Sequence, residues 1–131
     1  MPTLFTRIVQ GEIPCHKIAE DAEFLAFLDV RPVARGHALV IPKQETDYLF
    51  DLEDAKLGRL MVFVKMIAGI LKQEIPCRKV GVMVAGLEVP HAHVHLIPIQ
   101  KVTDLNFANA APASAEDLAA LSVRLQQRVK A

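Results

Sequence analysis

Two helical stripes of apolar residues stand out along the chain. Between Asp51 and Pro76, apolar positions follow one another mostly at steps of three and four, which predicts a long helix with one buried face and Asp51 as its N-cap. That face consists of Leu57, Leu60, Met61, Val64, Ile67 and Leu71. A second stripe follows Ser114, a predicted N-cap with Asp117 three residues on. It consists of Leu118, Leu121, Leu125 and Val129.

Shorter apolar runs between turn residues predict strands. They cover residues 17–19, 23–30, 35–42, 80–85 and 91–97. The chain order is therefore strands, a long helix, further strands and a final helix, which favours an α+β fold with an antiparallel sheet over a regular βαβ repeat. Neither an internal repeat nor a linker divides the sequence, so residues 1–131 are predicted to form a single domain.

Composition and charge exclude several classes of function. Of the 131 residues, 52% are hydrophobic and 23% are charged, as in an ordinary globular domain. The 15 basic residues balance 15 acidic ones. A nucleic-acid partner is therefore not expected, because a duplex binder needs a large basic face. The same balance argues against electrostatic attachment to a membrane.

The expected compartment is the cytoplasm. Two cysteines, Cys15 and Cys77, are too few for a disulfide framework, and no C-x-x-C pair points to a structural zinc ion. The first residues do not resemble a signal peptide, and no apolar run reaches the roughly 18 residues of a membrane span.

The strongest chemical signal is the segment His91-Ala92-His93-Val94-His95, which holds three of the five histidines of the chain. Side chains of a strand alternate between its faces, so the three imidazoles are predicted to share one face and the apolar residues to occupy the other. Burying three imidazoles in a row without a function is costly, because each has polar nitrogens that need partners.

A metal site and a phosphate site are two interpretations of this row. His91 and His95 would lie about 13 Å apart on an extended strand, so a metal would take two of the three histidines and a further ligand, most obviously His37. Facing a phosphate, the central imidazole is instead a nucleophile, and its neighbours donate to the nonbridging oxygens and assist the leaving group. No other ligand cluster of the usual kind flanks the row, so no metal is predicted.

The row matches the histidine triad motif, His-φ-His-φ-His-φ-φ, in which φ is apolar. An independent block over residues 4–43 also resembles histidine triad nucleotide-binding proteins, through an F-x-x-I segment, GEIP, FLD, GH and LVIPK. Together the resemblance spans roughly residues 4–98. It implies an α+β domain with an antiparallel sheet of about five strands, commonly a homodimer, that binds purine nucleotides.

The resemblance also implies an activity, the hydrolysis of nucleoside phosphoramidates or dinucleoside polyphosphates, without a cofactor. By position, His93 is the nucleophile on the α-phosphorus, and His91 and His95 orient it and contact phosphate oxygens. His37 approaches the triad from a neighbouring strand, and Asp29 hydrogen-bonds the ribose hydroxyls. The implied base pocket is lined by Leu4, Phe5, Ile8 and Phe27.

Plainer interpretations stand beside these roles. Asp29 is also a residue type that caps turns, and the four apolar residues are also ordinary core candidates. For the chain as a whole, the alternative to a nucleotide hydrolase or transferase is a nucleotide-binding regulatory dimer with weak or no turnover. A metalloprotein is the third class.

The chain departs from the usual family sequence just before the triad. Leu87 replaces a glutamine, and Glu88 replaces a small hydroxyl residue. We interpret Glu88 as a substrate-binding residue that repels a polyphosphate tail and attracts an amine leaving group, with a solvent-facing carboxylate as the alternative. The cysteine pair that binds zinc in some family members is absent, and Phe5-Thr6-Arg7 stands in its place.

Overall fold

The computed structural model describes residues 2–130, in which helices cover a five-stranded antiparallel sheet. The helices and strands are α1 (Leu4–Val9), β1 (Lys17–Glu20), β2 (Phe24–Leu28), β3 (Ala38–Pro42), α2 (Asp54–Glu74), β4 (Lys79–Met83), β5 (Val94–Ile99) and α3 (Ala115–Lys130). The strand order is β1-β2-β3-β5-β4, and each neighbouring pair is antiparallel. The predicted α+β class is confirmed.

The sheet separates two layers of apolar side chains. Alternate residues of the central strands pack against α2 and α3, and these are Phe24, Ala26, Leu28, Ala38, Val40, Val94 and Leu96. The residues between them face the other way and pack with Phe5 of α1, and these are Leu25, Phe27, Leu39 and Ile41. Both faces of the sheet are therefore buried, and the alternation sorts each strand into a helix face and an α1 face.

The long helix differs from its prediction at one end and on one side. It begins at Asp54 with Glu53 as N-cap, whereas Asp51 ends a short 3-10 turn, so the predicted cap was wrong. Its buried face consists of Leu60, Phe63, Val64, Ile67, Ile70 and Leu71. Met61 was wrongly placed on that face and is 44% exposed, since it lies about 100° around the helix from Leu60.

The final helix begins where the sequence predicts. The backbone N–H of Asp117 donates to the Ser114 side chain at 3.1 Å, as expected of an N-cap. Leu118, Leu121 and Leu125 are buried, while Val129 in the last turn is partly exposed and lies outside the core. Within residues 2–130, neither this helix nor another is long and apolar enough to cross a membrane.

The strand predicted at 91–97 begins three residues late, at Val94. The backbone before it leaves the sheet ladder, because the N–H of Ala92 donates to the carbonyl of Thr46 in the loop after β3, at 2.7 Å. The predicted alternation nevertheless continues through this segment. Ala92, Val94 and Leu96 pack into the core under the helices, and the histidines between them face α1.

Candidate active site

Four histidines meet on the α1 face of the sheet, where β3 and β5 are neighbours. His95 of β5 lies opposite Leu39 of β3, and His37 lies two residues before Leu39 on the same face. The ring centroids of His93 and His95 are 4.9 Å apart, and those of His37 and His95 are 5.1 Å apart. With His91, all four side chains are at most 7% exposed.

A glycine turn delivers His37 to this cluster. Gly36 has a φ of +91°, and a Cβ there would clash with the side chain of Ile75 and come within 3.2 Å of Pro98. Both the backbone conformation and the close approach therefore require glycine. The carbonyl of His37 then accepts the N–H of Asp29 at 3.0 Å, which fixes the two residues beside each other.

Hydrogen bonds set the tautomers of His37 and His95. The backbone N–H of Val33 donates to Nδ1 of His37 at 3.0 Å, so a neutral His37 carries its proton on Nε2. That Nε2–H donates to Nδ1 of His95 at 2.9 Å. His95 then carries its own proton on Nε2, and this N–H is available to donate to a ligand.

Burial keeps this histidine pair neutral at physiological pH. Loss of solvent lowers the pKa of His37 to about 4. The pKa of His95 is lowered to about 4 by burial first and by the neighbouring His37 and His93 second. A neutral imidazole has one hydrogen-bond donor and one acceptor. The two rings therefore form an oriented chain of neutral hydrogen bonds and carry no charge.

His93 is held in the orientation that a nucleophile requires. Its Nδ1–H donates to the carbonyl of His91 at 2.7 Å, so the lone pair of the neutral ring is on Nε2. Every buried side-chain nitrogen or oxygen within residues 2–130 has a hydrogen-bond partner. Since Nε2 of His93 makes no such bond in that part of the chain, this nitrogen is exposed to the cleft.

His91 differs from the other two members of the triad. Its Nε2–H donates to the carbonyl of Pro42 at 2.8 Å, and its Nδ1 pairs with the Thr3 hydroxyl at 2.8 Å. The side chain is fully buried. The expectation that His91 contacts phosphate oxygens therefore does not fit this geometry, because both ring nitrogens are already paired with the protein.

Asp29 is placed to accept hydrogen bonds from a ligand. One carboxylate oxygen, Oδ1, accepts the N–H of Arg31 at 2.9 Å, which is the turn-capping role considered from sequence. The other, Oδ2, lies 3.6 Å from Nε2 of His37, too far for a hydrogen bond. Burial raises the pKa of Asp29, and the bond from Arg31 partly offsets that rise.

One group of side chains could supply ligands to a metal ion, but the hydrogen bond to His37 opposes that use. Within the described residues 2–130, one cluster of potential ligands occurs, and its ligand atoms on Asp29, His37 and His95 lie within 4.8 Å of one another. The Val33 N–H occupies Nδ1 of His37, so Nε2 of a neutral His37 is a protonated nitrogen without a lone pair for the metal. Thr6, which the resemblance places where some family members have a zinc-binding cysteine, offers only a hydroxyl.

A cleft of about 860 Å³ opens above the histidines. All predicted site residues except His91 line it, namely Leu4, Phe5, Ile8, Phe27, Asp29, His37, Glu88, His93 and His95. The α1 side supplies an apolar wall, the sheet supplies the histidines and Asp29, and the segment before His91 supplies Glu88 and the 92% exposed Leu87. The site therefore combines apolar surface with a few convergent polar groups.

Sequence reasoning missed the aromatic rim of the cleft. Phe107 lies in a short 3-10 turn after β5, and its ring centroid is 4.8 Å from that of His95. Ala108 and Ala110 line the cleft beside it. The stretch has no hydrophobic period, and its one signal is a lone aromatic residue between asparagines, Asn106 and Asn109.

Comparison with known proteins identifies the family and agrees with the fold. A protein-family model described as the HIT domain matches residues 10–102, and the chain belongs to this histidine triad family. It is 38% identical over 99 residues to adenosine 5'-monophosphoramidase hnt1 of Schizosaccharomyces pombe, covering 75% of this chain and 74% of that protein.

Two solved structures illustrate the likeness in fold. One is a Hit-like protein involved in cell-cycle regulation from Bartonella henselae, with a TM-score of 0.84, 28% identity and coverage of 95% of this chain and 94% of that one. The other is a Zn-bound histidine triad family protein from Mycobacterium smegmatis, with a TM-score of 0.80, 28% identity and coverage of 97% and 95%.

Proposed function

We propose that the chain is a nucleotide hydrolase that cleaves a nucleoside phosphoramidate or a dinucleoside polyphosphate at the α-phosphorus. The observation that carries the proposal is the orientation of His93. Its Nδ1–H bond to the carbonyl of His91, at 2.7 Å, directs the Nε2 lone pair into the cleft. The phosphoramidase name of the fission yeast relative supports the same class of reaction.

The proposed reaction has two displacement steps. In the first, the lone pair on Nε2 of His93 attacks the α-phosphorus, and the P–N or P–O bond to the leaving group breaks with its electron pair. A leaving amine takes a proton from solvent. In the second, water attacks the phosphorus and releases a proton to solvent, the bond to His93 breaks with its electron pair returning to Nε2, and the nucleoside monophosphate and the neutral imidazole are released.

His95 and His37 stabilise charge on the phosphate in this mechanism. The Nε2–H of His95 donates to a nonbridging oxygen that becomes more negative as the nucleophile approaches. His37 holds that ring in the required tautomer through its bond of 2.9 Å to Nδ1. A ring whose pKa is about 4 stays neutral at pH 7, so His95 acts as a hydrogen-bond donor and not as a general acid.

The rest of the cleft holds the nucleoside. Oδ2 of Asp29 accepts hydrogen bonds from the ribose hydroxyls, and the apolar wall of Leu4, Phe5, Ile8 and Phe27 takes a purine base. The exposed carboxylate of Glu88 on the same cleft faces the leaving group. It favours a phosphoramidate with a basic amine over a polyphosphate tail.

Exposed apolar side chains support a homodimer as part of the proposal. Strand β4 is at an edge of the sheet, where Val82 is 49% exposed, and Val84 directly after the strand is 43% exposed. On α2, Met61, Val62 and Met66 are also exposed. An exposed edge strand next to exposed apolar side chains is typical of a protein–protein interface. We infer that a second copy of this chain packs against β4 and α2. Sedimentation equilibrium should give twice 14.4 kDa at micromolar concentration, and a mass near 14.4 kDa would contradict the dimer.

A substrate panel tests the proposed function. Adenosine and guanosine phosphoramidates and dinucleoside polyphosphates are incubated with the purified protein, and release of the nucleoside monophosphate is measured. We expect catalytic turnover with at least one phosphoramidate. Nucleotide binding without release from the whole panel would overturn the proposal in favour of a regulatory nucleotide-binding dimer. A cytoplasmic location and the absence of a nucleic-acid partner stay predictions from composition.

A further inference from the structure

A second polar cluster lies behind the triad, outside the cleft. It consists of Thr3, Thr6, Glu45 and His91, which come from the start of α1, the loop after β3 and the segment before β5. The Glu45 carboxylate accepts the N–H of Thr3 at 2.8 Å and the hydroxyl of Thr6 at 2.7 Å. These bonds hold the pKa of Glu45 below its usual value, so it is ionised at neutral pH.

The chemistry of the partners and the distances between them assign the direction of the main hydrogen bonds in this cluster. An ionised carboxylate only accepts, so the Thr6 hydroxyl proton is committed to Glu45. The Thr3 hydroxyl oxygen accepts the N–H of Thr6 at 3.0 Å. Since Nε2 of His91 donates to a carbonyl, its Nδ1 is an acceptor. The Thr3 hydroxyl donates to this nitrogen at 2.8 Å in preference to the Thr6 hydroxyl oxygen, which is farther away at 3.2 Å.

The cluster is connected to the nucleophile through the backbone of His91. The ring of His91 is held at both nitrogens, and its backbone N–H donates to the carbonyl of Val89 at 2.8 Å, so the side chain and the backbone of this residue are both anchored. The carbonyl of His91 accepts the Nδ1–H of His93 and thereby selects the tautomer with a lone pair on Nε2. Helix α1, which Thr3 caps, also contains Phe5. The ring centroid of Phe5 is 5.7 Å from that of His91 and 4.9 Å from that of His93. Movement of α1 would therefore disturb both rings.

We propose that Glu45 is a positioning residue, which anchors Thr3 and Thr6 so that His91 holds the carbonyl that sets the tautomer of His93. Glu45 does not touch the cleft, and it acts through Thr3 and His91. The effect of Glu45 on catalysis rests on the proposed function of His93, whereas the effect of Glu45 on the His93 tautomer does not depend on that function. A structural observable in the free protein can therefore test the proposal separately from activity.

The experiment compares Glu45→Ala with Glu45→Gln and with a matched control. The glutamine keeps a carbonyl oxygen that accepts from Thr3 and Thr6, whereas alanine removes both bonds. Glu23→Ala is the control, because Glu23 is also partly exposed and charged, and it pairs with Arg59 at 2.7 Å on another side of the sheet. Side-chain ¹⁵N NMR of histidine-labelled, ligand-free protein reports the tautomers of His91 and His93.

In wild type and Glu23→Ala, we expect a single His93 tautomer protonated on Nδ1. In Glu45→Ala we expect a mixture of tautomers, and on a phosphoramidate substrate a kcat about tenfold lower with KM changed less than threefold, since a lost positioning bond acts on the attack geometry. Glu45→Gln should restore the single tautomer and most of kcat. Thr3→Ser should resemble wild type, because it keeps the hydroxyl.

Two results would overturn the proposal. One is a Glu45→Ala protein that keeps the wild-type His93 tautomer, and the other is an equal change in Glu23→Ala. If wild type turns over no nucleotide, the proposed function fails, but the NMR comparison still decides whether Glu45 positions His93.

Discussion

The two faces of the central sheet are built from alternating residues of the same strands, yet they differ in chemistry. On the helix face, Val94 and Leu96 of the triad segment are buried among apolar side chains and need no partners. On the α1 face, His93 and His95 are almost equally buried but have polar ring nitrogens. Alternation lets one segment serve the core and the site together.

The difference has an energetic consequence. Apolar burial on the helix face stabilises the fold in proportion to the area removed from water. Burial of imidazoles on the α1 face costs free energy unless each buried nitrogen has a partner. The protein meets that condition with Val33, Pro42, Thr3 and the neighbouring histidines. Within the triad segment, the apolar residues therefore stabilise the fold, and the histidines between them form the proposed reactive site.

The largest expected effects come from two separate alanine substitutions, one on each face of the sheet. His93→Ala should lower kcat by at least about a thousandfold, because the proposed nucleophile is lost, while the unfolding midpoint changes little. Leu96→Ala should instead destabilise the fold by about 2–5 kcal/mol, from lost burial and a cavity. Initial rates and urea unfolding are measured on both variants. Wild-type activity in His93→Ala would refute the proposed role of His93 as the nucleophile.

Gly36→Ala should destabilise the protein by about 2–4 kcal/mol, from the positive φ and the clash with Ile75. The substitution tests whether the turn that places His37 on the α1 face requires glycine at this position. Gly11→Ala is a control for φ alone, because Gly11 also has a positive φ but open space around it. Equal urea midpoints for the two variants would show that the clash is relieved.

Stability should fall as the pH drops from about 6.5 towards 4. The pKa of His37 and of His95 is about 4 in the folded protein, below the ordinary histidine value of 6.5 that applies in the unfolded chain. Between these two values the unfolded chain therefore binds more protons than the folded protein. Each histidine adds a slope of up to about 1.4 kcal/mol per pH unit, and the contribution is fully present above 6.5. His37→Gln should flatten the profile relative to wild type and to His16→Gln. Parallel profiles for all three would contradict the buried neutral pair.

The smallest effect concerns the rim of the cleft. Glu88→Gln should raise kcat/KM for dinucleoside polyphosphates relative to lysine-type phosphoramidates by roughly twofold to fivefold, as expected for an exposed charge. The comparison is made at low salt, where screening is weakest. Glu12→Gln, which removes an exposed carboxylate elsewhere, is the control. An unchanged ratio would assign Glu88 to the solvated surface.

Local patterns were sufficient for much of the fold and of the cleft. Alternation through the triad predicted which face His93 and His95 occupy, and steps of three and four predicted the core of α2. Patterns of this kind report the nearest neighbours along one element, so they predicted neither the start of β5 nor the exposed position of Met61. Those depend on how the elements pack.

Contacts between distant segments could not be read from the sequence. Thr3 and His91 are 88 positions apart, and Thr3 and Glu45 are 42 apart. Threonine and glutamate are also common surface residues, so their types carry no signal. For the same reason the sequence did not show that both ring nitrogens of His91 pair with the protein, which leaves it the predicted orienting role but no free nitrogen for phosphate. The motif position of His91 resembles that of its neighbours, and only the tertiary partners of its ring distinguish it.

Trapping the covalent intermediate tests the central claim most directly. The protein is mixed with an adenosine phosphoramidate, quenched during turnover, digested under mildly alkaline conditions that preserve phosphohistidine bonds, and mapped by mass spectrometry. The account predicts an adenylyl group on His93 that is absent from His93→Ala. Turnover with an adduct on His91 or His95, or with none at any quench time in wild type, would contradict it.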